Sequence, residues 1–319
     1  MDTPLHPSSI LRAWSTLLGD RPEIGSALPG RELWPLTAED GRRYVLKRLG
    51  PWRNLPVADQ ARVLAHLSLH GVRVAEFLVT EEATVYAGAP EDSYVLMPHL
   101  PHDDIAAAQA RPVEELVGRS VAALHKALAA YPWDAHSYRE RIAEGLAELH
   151  VPEDVRDAFD ARRGEVLARI APLPLQLVHG DLTPDNVLVS RADGTVSFID
   201  LDHLPLAPRV WDLAKYLSRR LRRLPPPSSA QTVEHFVAGY HRASPLGAEE
   251  IAALPAMILA MNLLEASWTA RILSGQLERR LLPAQRAELE PTLAAVRRQL
   301  HDDGFLVEAV AAGAGDGGR

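Results

Sequence analysis

The stretch 177–214, LVHGDLTPDNVLVSRADGTVSFIDLDHLPLAPRVWDLA, constrains this chain more than any other part of it. Two apolar runs, 187–189 and 196–199, flank Ala192-Asp193-Gly194, and an Asp-Gly turn between such runs predicts a β-hairpin. Pairing outward from that turn sets Asn186 opposite position 201, within one residue of Asp200. An amide oxygen and a carboxylate are then expected at the open end of one hairpin. Oxygen ligands of that kind suit a hard cation such as Mg2+. Asp181 follows the apolar residues Leu175, Leu177 and Val178 and adds a third oxygen acceptor near the same end, in a loop stiffened by Pro184. Singly, each of these residues is an ordinary turn or cap residue. The specific feature is the combination: His-Gly-Asp, then Asn, then a hairpin ending in Ile-Asp.

The rest of the chain divides around residues 98–101, Pro-His-Leu-Pro. Before it, 5–18 has helical spacing through Ile10, Leu11, Trp14, Leu17 and Leu18. The runs 31–37 and 43–49 flank a turn at 38–41 and predict a second hairpin. A helix is predicted from Pro56 to His70, stopped by Gly71, with Val63 and Leu64 on its buried face. Strand-like runs follow at 72–80 and 94–97, with a candidate hairpin partner at 83–87. After the break the pattern is mostly helical, beginning at 113–130. The predicted organisation is a small antiparallel-sheet lobe (1–97), a hinge (98–101), a helical lobe (102–310) and a Gly/Ala-rich disordered tail (311–319).

Composition excludes several classes. The chain has 319 residues, no cysteine and a net charge of −8. Disulfide frameworks, thiolate metal sites and cysteine nucleophiles are ruled out, and a net acidic chain is a poor nucleic-acid binder. No secretory signal is expected at the N-terminus. The most apolar run, 251–264, is shorter than the ~20 residues of a membrane span, so a cytoplasmic protein is expected. Only Lys47, Lys126 and Lys215 are lysines among the 34 basic residues. Where arginine serves as the generic cation, a remaining lysine points to a need for the compact ammonium.

His179-Gly180-Asp181, Asn186, Ile199-Asp200 and Trp211-Asp212-Leu213-Ala214 together resemble the aminoglycoside phosphotransferase/choline kinase-like superfamily, small-molecule kinases with a protein-kinase-like fold. The motifs cover about 40 residues of the second lobe, in the family's order. The resemblance implies an α+β fold with an antiparallel-sheet nucleotide lobe and a helical catalytic lobe. It implies that Asp181 is the catalytic base and that Asn186 and Asp200 hold Mg2+ against the phosphates. His179 would shape the loop. Asp212 would brace it from behind, although a carboxylate in a first helical turn has a structural use of its own. Asp202 is either a further metal or substrate contact or an exposed residue. Lys47, in the second strand of a hairpin, fits the family's nucleotide lysine. The adenine of ATP (or the guanine of GTP) would lie near Met97 to Leu100, with Met97 or Leu100 packed on the ring.

Two features depart from the family pattern. The helix that should offer a glutamate to the lysine has Gln60 on its buried face, a residue able to orient a lysine but carrying no charge. No dense glycine pattern covers the phosphates; only Gly25 and Gly30 precede the first hairpin strand. On the acceptor side, Asn262, Glu265 and Trp268 share one face of a helix predicted over 248–274. Glu265 would meet either a cationic substrate or an arginine of the protein such as Arg271. His99, His102, Asp103 and Asp104 form a polar cluster after the hinge, read as a solvated loop. The leading expectation is phosphorylation of a hydroxyl on a small molecule, an aminoglycoside or other antibiotic first. A homoserine, choline or sugar-type kinase, or a nucleotide-binding pseudokinase, are the alternatives.

Overall fold

The computed structural model describes residues 7–28, 31–50, 54–89, 92–103, 111–133, 141–222, 224, 226–278, 281 and 283–315. Two compact units account for the chain: Met1–His102 with Ser197–His203, and Asp103–Val196 with Leu204–Arg319.

In the first unit the N-terminal helical pattern is broken into α1 (Pro7–Ile10), a 3-10 turn (Leu11–Trp14) and α2 (Ser15–Leu18), where an unbroken helix is expected. The Trp14 indole N–H donates to the Leu78 carbonyl at 2.9 Å, which fixes the turn against the later chain. Strands β1 (Glu23–Ile24), β2 (Leu33–Thr37) and β3 (Arg43–Arg48) follow, and the 38–41 hairpin forms as predicted. Next come α3 (Val57–Leu69), β4 (Arg73–Val74) and β5 (Tyr94–Pro98). The antiparallel sheet runs β1-β2-β3-β5. Tyr44 and Leu46 face a core with Trp14, Leu18, Leu36, Tyr94 and Leu96. Strand alternation then turns Lys47 to the opposite face. Helix α3 buries Val57, Gln60, Val63, Leu64 and Leu67.

Two strand expectations in this unit fail. Of 72–80, only Arg73–Val74 is strand, paired in parallel with Ser197 and Phe198. The 83–87 run contributes one bridge, Ala87 to Tyr94, because it turns at Ala83, whose φ is 59°. Positive φ in a non-glycine residue interrupts an extended chain.

The second unit holds α4 (Arg111–Ala130), α5 (Ile142–Ala147), α6 (Glu153–Asp160), α7 (Arg163–Ile170), β6 (Leu175–Leu177), β7 (Val187–Ser190), β8 (Thr195–Phe198), β9 (Leu206–Pro208), α8 (Val210–Leu221), α9 (Pro226–Ala243), α10 (Ala248–Leu273), α11 (Pro283–Ala287), α12 (Leu289–His301) and α13 (Gly304–Gly315). The last two residues of β8 belong to the first unit. Helices α4 and α9 touch through glycines: a Cβ on Gly118 would lie 2.1 Å from the Phe236 carbonyl oxygen, and one on Gly239 would lie 2.2 Å from that of Glu115.

The tail expected to be disordered from residue 311 is helical through Gly315. Its small residues read as low complexity, yet they let α13 seat on α9, where a Cβ on Gly313 would come within 2.6 Å of the Glu234 carbonyl. Helix α10 has the length and apolar character of a membrane span, but most of that stretch is buried inside the protein, as in a core helix.

Candidate active site

The site residues fall into two groups, one in each unit. In the first, the Lys47 ammonium lies 2.5 Å from Oδ1 of Asp200 and 2.7 Å from Oδ2 of Asp202. Asp200 is held at φ 63°, a left-handed conformation that costs a non-glycine residue about 1–3 kcal/mol. Burial pushes the Lys47 pKa down, but the charges of Asp200 and Asp202 outweigh it and hold the pKa above the ordinary lysine value. The ammonium stays charged.

Gln60 does not touch the lysine. Its Nε2 donates to Oδ1 of Asp202 at 2.8 Å and to the Leu201 carbonyl at 3.2 Å. Both partners only accept, so the amide nitrogen must face them. The expectation that Gln60 orients Lys47 is corrected in one respect: it orients Asp202, which pairs with the lysine. Asp202 is therefore neither simply exposed nor free for substrate. A charged partner for Lys47 is present after all, supplied from a different element than the family pattern suggests. The signal was in Ile-Asp-Leu-Asp, where a second carboxylate lies two residues from the first; the left-handed turn at Asp200 brings both to the same ammonium. Asn54 secures the same segment, accepting no charge but donating from Nδ2 to the His203 carbonyl at 2.7 Å.

The second group is built on Asp212, in the first turn of α8 and fully buried. Its Oδ2 accepts from the His179 backbone N–H at 2.7 Å and its Oδ1 from that of Gly180 at 2.9 Å. The Nε2 of His125 lies 3.0 Å from Oδ2, and its Nδ1 lies 2.8 Å from the Tyr240 hydroxyl. A carboxylate cannot donate, so Nε2 carries the hydrogen. The Trp211 indole donates to the Gly180 carbonyl at 3.2 Å. Gly180 sits at φ 84°, open to glycine without strain. The loop before Asp181 is thus gripped by the start of α8. His125 was not singled out from sequence. It lies on the buried face of α4 and meets Asp212 only through the fold.

Asp181 itself is half-exposed. Asn186 donates from Nδ2 to the Asp181 carbonyl at 2.8 Å, and the Asp181 N–H points to Nδ1 of the buried His179 at 3.4 Å. With its nitrogen so engaged, Asn186 presents Oδ1 as its acceptor. The Lys215 ammonium lies 3.3 Å from Oδ1 of Asp181.

Glu265 is engaged by the protein. Arg219 and Arg222 pair with it and Lys215 lies 3.8 Å away. Burial alone would raise its pKa, but Lys215, Arg222 and Arg219 reverse that and hold it below the usual glutamate value. Asn262 accepts from the Arg222 guanidinium at 2.7 Å. The partners are cations of α8 and the residue just after it, not Arg271. Asn262 and Glu265 are therefore corrected from substrate contacts to ligands of buried arginines, since a carboxylate on an apolar helix must be paired to be buried. Trp268 is half-buried on the same helix.

Met97 pairs with Val45 in the sheet, and both Met97 and Leu100 are half-buried. His99 and His102 stack at 5.9 Å, with Arg43 3.2 Å from Nε2 of His99. Asp103 instead accepts from the Arg191 backbone N–H at 2.7 Å, and Asp104 lies outside the described residues. Among the described residues no group of three or more His, Asp or Glu side chains gathers as a metal cage. The donors that the sequence assigns to a cation, a carboxylate oxygen on Asp200 and an amide oxygen on Asn186, are hard oxygen ligands. They fit Mg2+, which takes few protein ligands and completes its shell with phosphate and water.

Residues 32–254 match the phosphotransferase enzyme family (APH). Solved structures of similar fold include the amicoumacin kinase hAmiN in complex with AMP-PNP, Ca2+ and Ami (18% identity, 88% of each chain, TM-score 0.67). Another is the aminoglycoside phosphotransferase from Alicyclobacillus acidocaldarius subsp. acidocaldarius DSM 446 (17% identity, 98% of each chain, TM-score 0.65). A third is the microcompartment-associated aminopropanol kinase (17% identity, 94% of this chain and 98% of the other, TM-score 0.69). No curated protein matches the sequence. The resemblance read from the His-Gly-Asp loop and the Ile-Asp hairpin thus extends over well more than half of the chain, and the protein belongs to the phosphotransferase enzyme family.

Proposed function

We propose that this protein transfers the γ-phosphate of ATP, or GTP, to a hydroxyl of a small molecule in a Mg2+-dependent reaction. The observation that carries the reading is the state of Asp181: a half-exposed carboxylate on a loop pinned by a fully buried one, Asp212. Phosphoryl transfer asks a protein mainly to position groups and to neutralise charge. Asp181 accepts the proton of the acceptor hydroxyl as its oxygen attacks. Lys47 binds phosphate oxygens through its ammonium. Asp202, oriented by Gln60, holds that lysine in place. Asp200 and Asn186 are the residues whose oxygens would hold Mg2+, which when bound neutralises phosphate charge. Met97 and Leu100 would flank the base. A cytoplasmic location would supply the nucleoside triphosphate.

The acceptor is a small molecule, with neither a nucleic acid nor a membrane as partner. Of the three fold neighbours described above, one is named an amicoumacin kinase, one an aminoglycoside phosphotransferase and one an aminopropanol kinase. An antibiotic is the first acceptor class to test and an amino alcohol the second. The expectation that Glu265 receives a cationic acceptor plays no part, since that carboxylate already faces three cations.

The test is transfer of label from γ-labelled ATP to a panel of aminoglycosides, peptide antibiotics, amino alcohols, homoserine and sugars. Label on one acceptor, lost in Asp181→Ala while Mg-ATP binding persists, is the expected result. Mg-ATP binding with no transfer to the panel or to a cell extract would refute the reading in favour of a pseudokinase.

A further inference from the structure

Lysine is scarce in this chain, and two of its three lysines meet carboxylates assigned to the chemistry. Lys47 meets Asp200, and Lys215 meets Asp181. The third, Lys126, donates to the Ala243 carbonyl. Lys215 projects from α8 one turn beyond the first-turn residue Trp211 and shares a helix face with Arg219 and Arg222. Its ammonium lies between two carboxylates, 3.3 Å from Oδ1 of Asp181 and 3.8 Å from Oε1 of Glu265. The lysine side chain is 16% exposed, and the Glu265 side chain 8%. Asp181 keeps 34% of its side chain open.

The residue type matters here. A guanidinium would dock on a carboxylate as a two-pronged fork and cover both oxygens. An ammonium is a point charge that can hold one oxygen and leave the other side of the carboxylate open. Arg219 and Arg222, which have no base to keep accessible, are arginines and engage Glu265 directly.

We propose that Lys215 is a positioning residue for phosphotransfer: it fixes the Asp181 carboxylate from the α8 side, and Glu265 anchors it from behind. This rests on the reading of Asp181 as the base. In the step itself the acceptor oxygen forms its bond to the γ-phosphorus, and the bond from that phosphorus to the β-γ bridging oxygen breaks, its electron pair leaving with the nucleoside diphosphate. The hydroxyl proton passes to Asp181. Lys215 neither gives nor takes a proton. It holds the accepting carboxylate in one rotamer. Glu265, read from sequence as an acceptor contact, thereby acts on the reaction at one remove.

Three lysines make the contact directly measurable. Trace acylation with acetic anhydride, read by peptide mass spectrometry, reports the reactivity of each. In Asp181→Asn, Lys215 is expected to acylate several-fold faster than in the wild type, with Lys126 unchanged. Equal Lys215 rates in both proteins would overturn the proposal without any acceptor being known. Turnover supplies the second arm, as Mg-ATP hydrolysis and as transfer to whichever panel acceptor takes label. Lys215→Met should lower kcat about 10- to 100-fold, part of the 10²–10⁴ that a general base supplies, with the KM for Mg-ATP unchanged. In the Asp181→Asn background the same change should have no further effect, because both act through one carboxylate. A kcat within threefold of wild type in Lys215→Met, or losses that multiply in the double variant, would overturn it. Full activity in Asp181→Asn would instead remove the base reading itself.

Discussion

Replacement of Asp212 by alanine separates two uses of one carboxylate. As a helix N-terminal charge, Asp212 would be worth only about 0.3–1 kcal/mol. As the brace of the loop before Asp181 it is worth much more. Alanine would strand three donors, the buried His179 N–H and Nε2 of His125 and the part-buried Gly180 N–H. Each orphaned donor costs about 1–3 kcal/mol, so the gross loss is roughly 3–9 kcal/mol. Relief from burying the carboxylate offsets part of it, and truncating one partner of a buried pair typically costs about 3–5 kcal/mol net. A domain has about 5–15 kcal/mol in total, so Asp212→Ala should unfold at a much lower urea concentration or fail to accumulate. Asp212→Asn is the milder probe. With its amide oxygen at the Oδ2 position it still accepts from the His179 N–H and from Nε2 of His125, while its Nδ2 faces only the Gly180 N–H, so about 1–3 kcal/mol is lost. That variant should remain folded at 25 °C yet lose kcat, since the loop no longer holds Asp181 in place. The assay is urea denaturation followed by circular dichroism, with transfer measured beside it. An Asp212→Ala midpoint shift equivalent to under 1 kcal/mol would refute the bracing argument and return Asp212 to a helix-end charge.

Gln60→Glu should destabilise more than Gln60→Leu, although glutamate is nearer in shape. The carboxylate would face Asp202, now 2.8 Å from the amide nitrogen, whereas leucine also removes the buried Oε1 that has no hydrogen-bond partner; the reverse order of urea midpoints would contradict the pairing described. Gly118→Ala should cost about 1–3 kcal/mol or more by forcing α4 from α9, while Gly164→Ala, whose Cβ meets nothing within 4 Å, should be neutral or slightly stabilising; equal midpoints would undo the close-approach argument. Acid should weaken the second unit through Glu250 and Glu265. Burial would raise both, but Arg209 and the Gly247 N–H hold Glu250, and Lys215, Arg222 and Arg219 hold Glu265, below the ordinary value of 4.5. A depressed folded pKa contributes stability in full above the unfolded value and loses it as pH falls through the folded one. Urea midpoints should therefore fall as the pH drops below about 4.5, with a shallower fall in Glu250→Gln.

Local features of this fold were legible because their causes are local. Asp-Gly turns set both hairpins, and the helical spacing of Val63, Leu64 and Leu67 placed Gln60 on the buried face of α3. The His-Gly-Asp loop and the start of α8 were legible as motifs, since spacing along the chain carries them. What failed had causes elsewhere in the fold. Residues 311–315 resemble a tail in composition, and only the closeness of α9 makes small residues an advantage there. His125 is one more buried-face residue of α4 until Asp212, 87 positions later, is brought to it.

Asp202 and Glu265 are the instructive pair. For Glu265 the sequence left a cationic substrate or an arginine of the protein as partner, and for Asp202 a metal or substrate contact or plain exposure. Burial decides between them. A carboxylate that must leave water whether or not a ligand is bound needs a partner that is always present. Asp202 has Lys47, and Glu265 has Arg219, Arg222 and Lys215. The more exposed carboxylates, Asp181 and Asp200, are those that the family resemblance assigns to the reaction, and each touches a lysine that a buried carboxylate also holds. The same division appears in both units. The less exposed acids fix the lysines, and the lysines fix the more exposed acids.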